Sequence, residues 1–137
     1  MTYLALVHGA RGLVYYCYYD LRVLPQYTEM WGWMKKIAAE VKQLSPVLLS
    51  PEEPGKAAFT PADAPIHARL MRHEGRLTLI AVNAGDKEEA VRFRLPRKLP
   101  AQVDVLFEGR KAPAQGNELP AAFKPLEVHV FDLGGAL

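Results

Sequence analysis

The hydrophobic positions of this chain follow different rhythms in different stretches. From Met30 onward the apolar residues fall at Met30, Met34, Ile37, Val41 and Leu44, in steps of four, three, four and three. That spacing lays them along one stripe of an α-helix. It predicts a helix over residues 29–44, with Thr28 as its cap. Trp33 and Ala38 widen the stripe as helix-flank core, while Lys35, Lys36, Glu40 and Lys42 fall on the wet side. Burying such apolar residues is worth ~1.5–3 kcal/mol each, so some second surface is expected to cover them.

Residues 13–19, Leu13-Val14-Tyr15-Tyr16-Cys17-Tyr18-Tyr19, do not alternate at all. A run that is apolar or aromatic on both faces predicts a strand buried on both sides, as in a parallel sheet. His8-Gly9-Ala10-Arg11-Gly12 separates it from an apolar stretch at residues 3–7. Its glycines suit a helix end and a tight turn. The first part of the chain is therefore expected to be helix, strand, helix.

From Ile66 the rhythm is alternation. Ile66, Ala68 and Leu70 oppose His67, Arg69 and Met71. Residues 77–84 form a largely apolar central strand. Val91, Phe93 and Leu95 alternate with Arg92 and Arg94. Val103, Val105 and Phe107 alternate with Gln102 and Asp104. Leu126, Val128 and Val130 alternate with Glu127 and His129. Turn chemistry stands between them, at Glu74-Gly75, Asn83-Ala84-Gly85-Asp86, Glu108-Gly109 and Gln115-Gly116-Asn117. This pattern predicts an antiparallel β-sandwich. Pro46, Pro51, Pro54, Pro61 and Pro65 crowd the preceding stretch, where proline removes backbone donors and favours extended chain. The expected organisation is α+β: helix–strand–helix over residues 1–50, a linker over 51–65 and an all-β sandwich over 66–137.

Composition narrows the function. The chain has 137 residues, is 50% hydrophobic and carries a net charge of +2. That excludes wholesale disorder and gives no basic field for nucleic acid. The single cysteine, Cys17, cannot close an intrachain disulfide. His8 and Arg11 break the apolar start, so neither a signal peptide nor a membrane helix is expected, and the cytoplasm is favoured. A complete (β/α)8 barrel takes ~200 residues or more, which this chain lacks.

Taken together, Tyr3-Leu4-Ala5-Leu6-Val7-His8-Gly9-Ala10-Arg11-Gly12-Leu13-Val14-Tyr15-Tyr16 resembles the last helix-to-strand step of glycoside hydrolase (β/α)8 barrels. The helix ending Leu44-Ser45-Pro46 resembles their closing eighth helix. Leu79-Ile80-Ala81-Val82-Asn83 and Phe123-Lys124-Pro125-Leu126-Glu127-Val128-His129-Val130-Phe131 are similar to the β-sandwich that follows the barrel in many of these enzymes. The resemblance implies that the catalytic carboxylates sit on earlier strands, so no residue here takes a catalytic role. It also implies that Tyr18, Tyr19 and Asp20, at the end of the eighth strand, and Trp31 beyond the following loop lie near the sugar site.

Each candidate has a plainer reading. Retaining glycosidases need two carboxyls ~5–5.5 Å apart, and Asp20 is the only one at a barrel-strand end. Otherwise Asp20 is a turn residue. The tyrosines could stack on sugars, yet neighbours on a strand face opposite sides, and packing between sheet and helices accounts for at least two. His67 and His73 are ~20 Å apart along an extended strand, and His129 is expected to face solvent or a neighbouring layer. No metal and no cofactor are expected. Gly9-Ala10-Arg11-Gly12 precedes a strand, unlike an RNA-binding GxxG loop. Arg92, Arg94, Arg97 and Lys98 read as a solvated face beside Asp86, Glu88 and Glu89. Three functions remain: an inactive C-terminal portion of a glycoside-hydrolase-like protein, a carbohydrate-binding module, or a structural dimerisation domain. The expected partners are carbohydrate and either a second copy or the missing barrel portion.

Overall fold

A computed structural model describes residues 1–16, 19, 23–52 and 57–135. Among these residues two α-helices, α1 (Thr2–Val7) and α2 (Thr28–Leu48), the latter led in by a 3-10 turn at Pro25–Tyr27, precede eight strands. These are β1 (Ala58–Thr60), β2 (Ile66–His73), β3 (Arg76–Asn83), β4 (Glu89–Arg94), β5 (Gln102–Val105), β6 (Arg110–Pro113), β7 (Glu118–Phe123) and β8 (Val128–Gly134). They form two antiparallel sheets, ordered β1-β4-β7 and β2-β3-β8-β5-β6. The expected α+β class, with helices leading into antiparallel sheets, is what the chain adopts.

The five-stranded sheet is covered on both faces, and this explains its central strand. Leu77, Leu79 and Ala81 of β3 join Phe93, Leu119, Phe123, Phe131 and Leu133 in the core between the sheets. Ile80 and Val82 point the other way, against Tyr3, Leu6, Val7, Leu44 and Leu48 of the helices. β2 and β3 meet in a two-residue hairpin whose Glu74 and Gly75 both have positive φ, 49° and 75°. That is the geometry a right-twisted hairpin favours.

Two-sided burial sets the orientation of β8, and His129 takes the neighbouring-layer alternative, against Phe123 of the other sheet. Val130 faces the helices, and Val128 packs beside it, while His129, expected toward solvent or another layer, is buried. Likewise Phe107 does not continue the alternation of β5. The strand ends at Val105, and Phe107, with φ 69°, turns its ring to the helix side.

The expected strand over residues 13–19 does not form among its described residues. Residues 13–16 lie outside every strand, and Val14 and Tyr16 are exposed, Tyr16 at 97%. Only Leu13 packs against the helix-side core, and the Tyr15 hydroxyl bonds Thr2 Oγ1. A strand of parallel-sheet character needs neighbouring strands and cover on both faces, and the described residues offer none there.

Two further differences have physical causes. α2 runs four residues past the predicted end, with Pro46 inside it. Buried Leu48 anchors that last turn, the Leu49 amide bonds Ser45 O at 2.9 Å, and packing outweighs the cost of the proline. Within the stretch expected as linker, Ala58–Thr60 is a strand paired with β4.

Candidate functional site

The side chains singled out above do not gather at one place. Tyr18 and Asp20 lie outside the described residues. Tyr19 is exposed. Trp31 is half-buried on the first turns of α2, with Lys35 Nζ 5.9 Å from its ring centroid. Trp33, expected as helix-flank core, is 55% exposed. Among the described residues, no group of three or more His, Cys, Asp and Glu side chains is arranged to hold a metal ion.

Polar chemistry concentrates instead where β8 meets the β5–β6 turn. His129 is buried on β8 beneath Phe123 and Phe131, at centroid distances of 4.6 and 5.8 Å. Its Nε2 lies 3.0 Å from Ala122 O, which can only accept a hydrogen bond. Its Nδ1 lies 2.5 Å from Glu108 Oε1, within hydrogen-bond distance. The other Glu108 oxygen takes Arg110 Nε at 2.7 Å. Glu127 accepts the Lys124 amide at 2.7 Å and lies 3.6 Å from His129 Nε2. Nothing local in sequence announced this group, because Glu108 and His129 stand 21 residues apart.

Two hollows share Glu108 and Glu127 as a common wall. One, of about 680 Å³, opens between the edges of the two sheets and is floored by Phe123, His129 and Phe131. The other, of about 380 Å³, lies between α2 and β8 and is lined by Tyr3, Trp33, Lys36, Glu40 and Phe107. The Tyr3 hydroxyl donates to Glu40 Oε2 at 2.6 Å. Burial first, and then the Glu40 carboxylate, push the Tyr3 phenol far above its ordinary range. Glu40 therefore sits against Tyr3 with only 14% of its side chain exposed, rather than on the wet face of the helix.

Outward, Arg92 and Arg94 are exposed, as expected of a solvated face. Their partner is Glu118, across the sheet at 3.2 and 3.5 Å, rather than the acids of the preceding loop. The first half of α2 is also open: Met30 is 49% exposed, and Tyr27 and Trp33 are exposed nearby. Counting the described residues, the stripe that sequence periodicity says must be covered is buried at Leu44 and half-buried at Met34, Ile37 and Val41, while Met30 stays exposed.

No protein-family model matches the chain, and no curated protein matches it by sequence. Solved glycoside hydrolase structures do share its fold. AmyP in complex with maltose superposes with a TM-score of 0.59 over 85% of this chain, at 14% identity. A single-residue variant of AmyP in complex with maltotriose gives 0.55 over 73%, at 15% identity. An alpha-amylase from Anoxybacillus, described as giving insights into a new glycosyl hydrolase subclass, gives 0.57 over 74%, at 13% identity. The matched regions make up 23%, 20% and 22% of those chains, so this chain spans about a fifth of their length. At such identities the likeness is one of fold. No helix among the described residues is long and apolar enough to cross a membrane.

Proposed function

We propose that this chain is the C-terminal portion of a glycoside-hydrolase-like protein. In this reading residues 1–50 supply the last elements of a (β/α)8 barrel, and the strands form the accessory sandwich that packs beside it. The observation that carries the reading is the open first half of α2, where Met30 and Trp33 are exposed. An apolar helix face of this kind is stable when another layer covers it. The fold shared with much longer glycoside hydrolase chains supports a barrel as that layer.

The catalytic carboxylate pair would come from the barrel portion, so this chain alone should not hydrolyse glycosides. Two experiments test the proposal. A panel of aryl glycosides incubated with the purified chain should show no turnover, and turnover abolished by Asp20→Asn would overturn the inactive assignment. Reading the coding DNA upstream of Met1 should reveal barrel sequence in frame.

A further inference from the structure

We propose that His8 and His67 form a surface chelate for a transition-metal ion that prefers square geometry, copper(II) above all. His8 Nε2 lies 2.8 Å from His67 Nδ1, and the rings stand edge to face with centroids 4.9 Å apart. The two residues are 59 positions apart, so only the fold joins them. Each comes from a firmly held backbone. His8 caps the C-terminus of α1, and the chain leaves that helix through a Schellman turn. There the Gly9 amide bonds Leu6 O and the Ala10 amide bonds Ala5 O, both at 3.0 Å, with Gly9 at φ 98°. His67 lies within β2, registered against Val82 of β3. Two imidazoles placed by ordered elements lose little further freedom when they take up an ion together.

Their separation selects the metal. An imidazole nitrogen sits ~2.0 Å from a bound first-row ion, so two such bonds at a right angle put the nitrogens ~2.8 Å apart, and at the tetrahedral angle ~3.3 Å. The observed 2.8 Å matches two adjacent corners of a square, the geometry of copper(II) and nickel(II), and is short for tetrahedral zinc. Copper(II) also binds nitrogen ligands most tightly of the divalent first-row ions. In the metal-free pair one facing nitrogen carries a proton and the other accepts it. On binding, that proton moves to the far nitrogen of its own ring, and both lone pairs turn to the ion. His8 is exposed and His67 half-buried, so the rings can tilt and water can fill the remaining positions. One neighbouring charge opposes the ion. Arg69 follows His67 on the same face of β2 and donates from Nη1 to Leu6 O at 3.1 Å. Its charge holds the affinity below that of a site with three or four protein ligands. The pair lies where α1 meets β2, not on the first half of α2, so the site goes beyond the barrel reading and does not depend on it.

Copper(II), nickel(II) and zinc(II) chlorides titrated separately into the full 137-residue chain test the proposal. Copper should bind one to one with a Kd below about 100 μM, and more tightly than either of the others. Electron paramagnetic resonance of the copper complex should show coupling to two imidazole nitrogens. His8→Ala and His67→Gln should each weaken copper binding at least about tenfold and leave coupling to one. His73→Ala, at the far end of the same strand, should change neither. Circular dichroism of His8→Ala should match the unmodified chain, since His8 lies at the surface, so this variant decides the matter even if His67→Gln disturbs β2. A copper Kd above about 100 μM, zinc binding as tight as copper, or a copper complex unchanged in His8→Ala would each overturn the proposal. None of these outcomes bears on whether barrel sequence precedes Met1, so the two readings fail separately.

Discussion

Replacing Asn83 with alanine should cost this fold about 3 kcal/mol, a figure that follows from its hydrogen bonds. Asn83 ends β3 and is fully buried, at 0% exposure. Its Nδ2 donates to Lys87 O at 2.7 Å and to Lys124 O at 3.0 Å. Its Oδ1 accepts the Gly85 amide at 2.9 Å. One side chain thus ties the β3–β4 connection, which crosses between the sheets, to the β7–β8 connection. Each neutral bond contributes a net ~0.5–1.5 kcal/mol, so three contribute roughly 1.5–4.5 kcal/mol. The exposed backbone of both loops lets water reach part of what is freed, which holds the loss near the middle of that range. With a urea m-value of ~2 kcal/mol/M, the midpoint should fall by about 1.5 M. Asn83→Asp sharpens the test: it keeps the bond to Gly85 but turns an oxygen toward two carbonyls. It should be at least as damaging as alanine at neutral pH and should recover partly in acid, where the protonated carboxyl can donate. Urea titrations followed by circular dichroism would measure both. A loss below about 1 kcal/mol in both variants would show that the loops hold themselves and that the bonding account is wrong.

Other consequences are equally open to measurement. Leu48→Ala should cost about 2–5 kcal/mol and shorten α2 to end near Pro46, read as lost amide protection over the last turn; undiminished protection would refute the anchoring role of Leu48. Tyr3 holds its proton far more tightly folded than unfolded, so its contribution is complete below about pH 10, the unfolded value, and fades as pH rises further. Stability should therefore fall more steeply above that pH in the unmodified chain than in Tyr3→Phe, and parallel profiles would contradict this. The open face of α2 should drive self-association of the isolated chain at micromolar concentration. Light scattering should show it weakened by Tyr16→Ser combined with Met30→Lys, and a stable monomer would count against it.

How far these features could be read from sequence depended on whether each was decided locally. The α2 stripe and the Glu74-Gly75 hairpin were legible, because periodicity and turn chemistry act over a few residues. β7 was not: Glu118–Phe123 carries Pro120 and two alanines, which argue against a strand. It is an edge strand of the three-stranded sheet, where a missing donor costs little. β6 escaped for a similar reason, since Ala112 is its one buried residue. The burial of His129 was hidden because alternation says which residues share a face, not whether the opposite face meets water. Here helices cover one side and a second sheet the other. The tyrosine-rich stretch shows the reverse limit. Its composition describes a buried strand, yet the neighbours that would make it one are absent from the described residues. The carboxylates that line the hollow beside α2, Glu40, Glu108 and Glu127, come from three distant segments, and only the fold brings them together.

Mass spectrometry of the native polypeptide, recovered with an antibody raised against the sandwich strands, tests the central proposal most directly. The account predicts peptides N-terminal to Met1 that carry barrel strands and a pair of strand-end carboxylates, covalently continuous with this sequence. A native chain beginning at Met1, with no barrel polypeptide accompanying it, would contradict that account.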